Sequence, residues 1–108
     1  MDPEDARAAL EQRRAALLHE DRVDEQARAP VELDQESVGR LSRMDAMQVQ
    51  QMARALEQRR KAERARIDAA LDRLAAGEWG YCVACGDEIA RPRLVHDPSV
   101  SHCIKCAS

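Results

Sequence analysis

The sequence predicts a mainly α protein, in which a long antiparallel helical hairpin (coiled coil) precedes a small four-cysteine module. Two long stretches without glycine or proline, on either side of a turn-rich segment, predict the two helices. Charged residues make up 34% of the chain and aromatic residues only 2%, whereas charged residues usually make up roughly 25% of a globular domain. This composition suits solvated helices that touch along one stripe, so we expect an elongated molecule.

The first helix has a clear start and end in the sequence. Asp2 is placed as the N-cap and Pro3 as the first helical residue, with acidic residues in the first turn. Pro30 disfavours the helical conformation at Ala29, where we expect the helix to end. The apolar stripe at helical spacing is formed by Ala6, Leu10, Leu17 and Ala27.

The second helix is predicted from Ser42 to Ala76, with Ser37 as an alternative start. Ser42 and Asp45 resemble a capping box, and Gly77 suits the position just past the helix end. Arg59 and Glu63 interrupt its apolar face. We therefore expect a hairpin over residues 1–76, with its tip at about 30–45, and a separate module over residues 77–108. The expected apolar face comprises Met44, Met52, Ala55, Leu56, Ile67, Ala70, Leu71 and Leu74.

The four cysteines form two C-x-x-C pairs, Cys82/Cys85 and Cys103/Cys106, separated by a spacer of seventeen residues. This spacing matches the pattern of a zinc site with four thiolate ligands. Four thiolates close a tetrahedral shell and leave no position for water, so one structural Zn²⁺ is predicted rather than a catalytic one. Gly86 is expected to adopt a left-handed conformation that aims backbone N–H groups at the sulfurs.

Other interpretations of the cysteines are weaker. A redox dithiol of the thioredoxin type needs a βαβ setting, which the surrounding sequence lacks. His96 and His102 could each replace a cysteine ligand, but we expect both on the surface. Trp79 and Tyr81 are expected to pack the zinc-finger module onto the base of the hairpin. The sequence shows no nucleophile–base set, so the protein is predicted not to be an enzyme.

The charge and hydropathy of the chain restrict its partners. A formal net charge of −3 argues against direct DNA binding, which needs a basic surface. There is no apolar run long enough for a membrane helix and no secretory signal, so we expect a cytoplasmic protein, in which disulfides are rare. Three alternatives stay open: a zinc-ribbon nucleic-acid-binding protein, a zinc-thiolate redox sensor, and a purely structural coiled-coil dimer.

The segments around the cysteines resemble a known family. They read GEWGYC before the first pair, CGDEI and RPRL after it, and CIKC at the second pair. Together with the long charged hairpin, they resemble the C4-type zinc-finger regulators of the DksA/TraR family. The resemblance implies a transcription regulator that inserts its hairpin into the secondary channel of bacterial RNA polymerase. Acidic tip residues then act near the catalytic magnesium, without DNA binding and often with ppGpp.

The resemblance also suggests functional residues. Counting back from Cys82 without a gap, the family's Asp-x-x-Asp-x-Ala tip falls on residues 39–44, which lack both aspartates. The tip residues expected to contact the polymerase are Asp34, Ser42, Asp45 and Ala46. Arg59 and Arg66 align with basic positions that contact ppGpp, whereas Ala62 stands at a third. The family's terminal helix is missing after Cys106, which argues against direct ppGpp dependence. We expect a monomer.

Overall fold

The computed structural model describes residues 1–28 and 43–107. Within these ranges the chain forms three helices: α1 (Pro3–Arg28), α2 (Arg43–Ala76) and α3 (Arg91–His96). The only extended pairing there is an isolated antiparallel bridge between Tyr81 and Glu88. No helix of the described ranges has the length and hydropathy of a membrane span. The predicted mainly α fold is confirmed.

The molecule is elongated, as its composition predicts. Its principal extents are 60 × 28 × 20 Å and its radius of gyration is 19.2 Å, compared with about 13 Å for a compact chain of this length. Helices α1 and α2 pack against each other in antiparallel orientation. Arg13 near the middle of α1 binds Glu63 of α2, and Asp24 further along α1 binds Arg60.

The start of α1 is fixed by the predicted cap. The backbone N–H of Asp5 donates to Asp2 Oδ1 at 2.8 Å, which satisfies one of the unpaired donors of the first turn. The helix begins at Pro3, as predicted. Its predicted end at Ala29 lies outside the described residues.

The end of α2 is also the predicted one. Gly77 has φ +73°, and a side chain at this position would be strained. The N–H of Glu78 donates to Arg73 O at 2.8 Å, and the N–H of Gly77 donates to Leu74 O at 3.2 Å. This pair of bonds is a Schellman motif, which satisfies the last helical carbonyls and turns the chain toward the cysteine module.

Two small apolar clusters meet at the base of the hairpin. The first lies between the helices and the second lies beneath the metal site; Trp79 packs against both. The prediction that Trp79 joins the module to the hairpin is confirmed. The prediction for Tyr81 is wrong: it is 47% exposed and belongs to neither cluster, because its bridge to Glu88 lies at the module's surface. The clusters comprise Ala6, Leu10, Leu17, Ile67, Ala70 and Leu74, and Cys82, Ile89, Leu94 and Cys103.

The predicted apolar face of α2 is buried only near the base. Ile67, Ala70 and Leu74 are buried, and Leu71 is half-buried. The rest of that face is exposed in the structure. Toward the tip, the described part of the helix interface becomes charged, so apolar burial does not continue there. The exposed members are Met44, Met52, Ala55 and Leu56.

Candidate metal centre

The four cysteines converge on one point. Their sulfur atoms all lie within 4.8 Å of one another, and they are the only such group of potential ligands in residues 1–28 and 43–107. Cys85 Sγ and Cys103 Sγ are 3.6 Å apart. A tetrahedron with Zn–S bonds of about 2.3 Å has sulfur–sulfur edges of about 3.8 Å, whereas a disulfide would need about 2.0 Å. The spacing fits a four-thiolate zinc shell.

Each C-x-x-C pair is held by a tight backbone turn. In the first pair, the N–H of Gly86 donates to Cys82 O at 2.9 Å. Gly86 has φ +80°, so the predicted left-handed conformation is confirmed. In the second pair, the N–H groups of Cys106 and Ala107 donate to Cys103 O at 3.1 and 3.0 Å. The second turn therefore closes without a glycine.

Backbone bonds and a short helix bring the two turns together. The N–H of Val83, inside the first turn, donates to Ser101 O at 2.9 Å, just before the second turn. Within the spacer, α3 places Leu94 in the apolar cluster beneath the metal site. The sequence pattern does not predict α3. The leucine of the segment Arg91-Pro92-Arg93-Leu94 is its only signal, and six residues are too few to show helical periodicity.

The protonation of the thiols shows why the site needs a cation. The backbone N–H groups of Cys103, and then those of Cys85 and Ala84, lower the pKa of Cys82 to about 6. The neighbouring side chains of Cys103, Cys85 and Cys82 raise the pKa of Cys106 to about 12. Without a metal, the four thiols therefore cannot all ionise near neutral pH. Zn²⁺ supplies the charge that allows it, and the donor set fits one structural zinc ion.

The module is anchored to the base of the hairpin by hydrogen bonds to its spacer. Trp79 Nε1 donates to Pro98 O at 2.9 Å, and Arg73 Nη2 of α2 donates to Ser99 O at 3.4 Å. Ser99 is itself buried, and its hydroxyl donates to the Asp97 carboxylate at 2.6 Å. The position of the metal site relative to α2 is thus fixed by side-chain contacts as well as by chain connectivity.

The two histidines of the spacer take no part in the ligand group. His96 is exposed, at the end of α3. His102 is partly buried and shares a hydrogen bond of 2.7 Å between its Nδ1 and the Ser101 hydroxyl. Neither belongs to the group of side chains close enough to share a metal in the described part of the chain.

The residues predicted at the tip are only partly described. Asp34 and Ser42 lie outside the described residues. Asp45 and Ala46 are exposed in the first turn of α2. Their contact with a polymerase stays a prediction. The sequence contains two Asp-x-x-Asp strings, both outside the tip, and both have structural partners: Asp2 caps α1, and Asp21 and Asp24 bind Arg60.

The two arginines predicted to contact ppGpp are exposed and lie seven residues apart on α2, which is two helical turns. Arg66 lines an open cleft of about 320 Å³ between α2 and the zinc module. Arg93 and Asp97 line it too, whereas Arg59 does not. The structure does not bring Arg59 and Arg66 into one cleft, and their binding of ppGpp stays a prediction.

Comparisons with known proteins agree with this geometry. Residues 77–108 match the model of the prokaryotic dksA/traR C4-type zinc finger. The whole fold is similar to the solved structure of transcription factor DksA2 from Pseudomonas aeruginosa, with a TM-score of 0.70 and 27% sequence identity. That match covers 95% of this chain and 78% of the other. An uncharacterized protein of Aquifex aeolicus is 46% identical over 41 residues, which span 38% of this chain and 28% of that protein.

Proposed function

We propose that this chain, a DksA-like zinc-finger protein, regulates transcription initiation by binding bacterial RNA polymerase through the secondary channel. The observation that carries this proposal is the likeness to a transcription factor along 95% of the chain, hairpin and zinc finger together. A match to the zinc finger alone would support only a metal-binding module. Under this proposal the protein is a cytoplasmic monomer and not an enzyme.

The geometry of the hairpin supports insertion into a channel. Helix α2 has 34 residues and is therefore about 50 Å long. We assign the insertion to the hairpin, residues 1–76, and the positioning of its base to the zinc module, residues 77–108. The Schellman motif at Gly77 and the Trp79 contacts join these two domains firmly, so that a base held on the polymerase would define where the tip lies.

The charge of the molecule supports a protein partner. The formal net charge of −3 disfavours attraction to nucleic acid, so the zinc finger is proposed to act without binding DNA. The acidic group assigned to the polymerase centre is Asp45, with Ala46 beside it, on the first turn of α2. Asp34 and Ser42 complete the proposed tip. Arg59 and Arg66 are proposed to contact ppGpp at the rim of the polymerase.

Site-specific photocrosslinking to purified bacterial RNA polymerase tests the proposal. A photoreactive residue replaces Met44, which is 73% exposed near the tip end of α2. We expect it to label catalytic-centre elements of the polymerase. The matched control carries the same residue at the exposed Gln12 of α1, nearer the base, and should not label them. Binding without tip labelling would contradict insertion through the channel. If the zinc-loaded protein does not bind at all, RNA polymerase is not its partner.

A second candidate function is supported by the exposure of one zinc ligand. Cys85 is exposed, whereas Cys82 and Cys103 are buried, and metal-bound thiolates remain nucleophilic. In this candidate, hydrogen peroxide would oxidise the thiolates of Cys85 and Cys103 to a disulfide and, with two protons taken from solvent, would be reduced to two molecules of water, and the zinc would be released. A zinc-indicator dye would record the release on mild peroxide treatment. Zinc retained with all thiols reduced would exclude redox sensing.

A further inference from the structure

The two helices of the hairpin meet through different chemistry at the base and in the middle. In the described residues, the buried apolar side chains of α1 end at Leu17, and those of α2 begin at Ile67. Beyond these two residues, toward the tip, Val23 and Leu56 are each 49% exposed. Apolar packing therefore defines the alignment of the helices only near the base.

A cluster of ion pairs lies immediately beyond this apolar contact, formed by Arg60 and Arg64 of α2 with Asp21 and Asp24 of α1. Arg60 Nε donates to Asp21 Oδ1 at 2.7 Å, and its Nη2 donates to Asp24 Oδ2. Arg64 forms an ion pair with the other oxygen of Asp21. The Arg60 side chain is only 12% exposed, which is unusual for an arginine and requires that its charge be paired.

The two hydrogen bonds of Arg60 restrict how the helices can align. Asp21 and Asp24 lie three residues apart, so they occupy one face of α1 on successive turns. One planar guanidinium binds both carboxylates, and its donors have a fixed fork geometry. If α1 slipped or rotated by one turn, only one of the two aspartates could stay within reach of Arg60.

The energetics favour a role in specificity over a role in stability. Replacing a buried ion pair by apolar residues of similar volume is often neutral or stabilising, whereas a buried polar group can select one register among several. The buried apolar stripe of α1 is short: among the described residues it consists of Ala6, Leu10 and Leu17, so it does not reach the segment that carries Asp21 and Asp24. A leucine in place of Arg60 would extend the apolar interface but would no longer select one register of the helices.

We propose that Arg60, held by Asp21 and Asp24, is a positioning residue that sets the register of the two helices beyond their apolar base and thereby the direction of the hairpin's tip. The consequence for transcription rests on the proposed function, because the tip must reach a defined point in the polymerase. The register itself is a property of the free protein. It can therefore be tested without the polymerase, and the two hypotheses can fail independently.

The test is a distance measurement in the free, zinc-loaded protein. Genetically encoded spin labels that spare the cysteines replace Arg22 of α1 and Gln58 of α2, both exposed and close to the ion cluster. Pulsed electron resonance then records the distribution of label distances. The variant Arg60→Leu/Asp24→Leu removes the bridge but leaves the Asp21–Arg64 pair intact. The matched control, Arg14→Leu/Asp68→Leu, removes an exposed pair whose side chains are 43% and 51% exposed.

We expect the parent and the control to give one narrow distance distribution. The Arg60→Leu/Asp24→Leu variant should keep its melting temperature, and its distribution should broaden or split. A slip of one helical turn moves a label by about 5 Å along the helix axis, and part of that displacement appears in the distance between the labels. An unchanged narrow distribution in this variant would overturn the proposal. If the variant does not fold, the same measurement on Arg60→Lys tests the proposal instead. A lysine keeps the positive charge but lacks the planar, forked set of donors that binds both aspartates. A broadened distribution in Arg60→Lys supports the role in register, and a narrow one overturns it.

Discussion

Cys85 combines an essential position with an exposed side chain, so it gives the simplest test of the metal site. We expect Cys85→Ser to lose zinc and to unfold the zinc module, because zinc binding supplies most of the folding free energy of such modules. Most of the helical signal should remain, since α1 and α2 have their own contacts. Metal analysis and far-ultraviolet circular dichroism measure both effects.

The control for this change is Val83→Ser, which alters an exposed residue of the same turn. It should keep one zinc ion per chain and the full fold. A Cys85→Ser protein with unchanged zinc content would show that the four-thiolate assignment is wrong.

Gly77 allows a second prediction for a single residue. We expect Gly77→Ala to lower the free energy of unfolding by about 1 kcal/mol, because its φ of +73° strains any residue with a Cβ atom. No neighbouring atom lies within 4 Å of the added carbon, so the cost comes from the backbone and not from a clash. Gly77→Asn should cost less, because asparagine tolerates this conformation better. Urea unfolding measures both, and an alanine variant as stable as the parent would contradict the prediction.

The contact between α1 and α2 makes the hairpin sensitive to pH. A hydrogen bond from Arg13 lowers the pKa of Glu63, whose side chain is 28% exposed. A carboxyl group with a lowered pKa in the folded state stabilises the fold above its unfolded pKa, which is about 4.3. That contribution is lost as the pH falls through the lower pKa of the folded state.

Glu63→Gln should therefore destabilise the hairpin by about 0.5 kcal/mol at pH 7 and by less at about pH 2, because the contribution is lost as the pH falls through the lowered pKa of the folded state. Thermal unfolding followed by circular dichroism at the two pH values tests this. The control is Glu11→Gln, at an exposed position of α1, which should behave like the parent at both. The prediction is wrong if the loss at Glu63 is as large in acid as at neutral pH.

The helices differ in how far the sequence determines them. Capping residues act locally, so Asp2 correctly predicted the start of α1 and Gly77 correctly predicted the end of α2. The spacing of the cysteines was sufficient to predict the metal site, because ligand geometry restricts the spacing directly. Helix α3 could not be predicted, since it depends on burying Leu94 in a cluster that exists only after the module has folded.

Contacts between the two arms were less predictable than the arms themselves. Arg59 and Glu63 were identified as interruptions of the apolar face, but the partners of Arg60 depend on the register of the hairpin. A shift of one turn would exchange the partners of every charged residue along the interface. Tyr81 shows the same limit, because its exposure follows from its bridge to Glu88 at the module's surface and not from its own neighbours in sequence.

At the scale of the whole molecule, the structure separates an anchored base from a charged and exposed distal arm. The zinc site, Trp79 and the apolar cluster lie at one end of a particle with a long axis of 60 Å. Asp45, in the first turn of α2, lies toward the other end. If the base binds the polymerase and the tip acts on it, binding and activity should be separable by mutation.

Asp45→Asn is the change that tests this separation. We expect it to weaken the effect on promoters by about tenfold or more, which corresponds to about 1.4 kcal/mol, while the affinity for polymerase changes little. In vitro transcription and a binding titration measure the two quantities. The control, Asp72→Asn, makes the same change at an exposed position near the base of α2 and should leave promoter effects unchanged.

Asp45 also lies where a negative charge stabilises the start of a helix, so the stability of each variant must be measured as well. Loss of that charge alone should cost about 0.5 kcal/mol of helix stability and should weaken binding and promoter effects equally. Equal losses would therefore assign Asp45 to helix stabilisation and contradict its role as the working acid of the tip. A selective loss of promoter effects at unchanged affinity requires that the carboxylate act on the polymerase after the protein has bound.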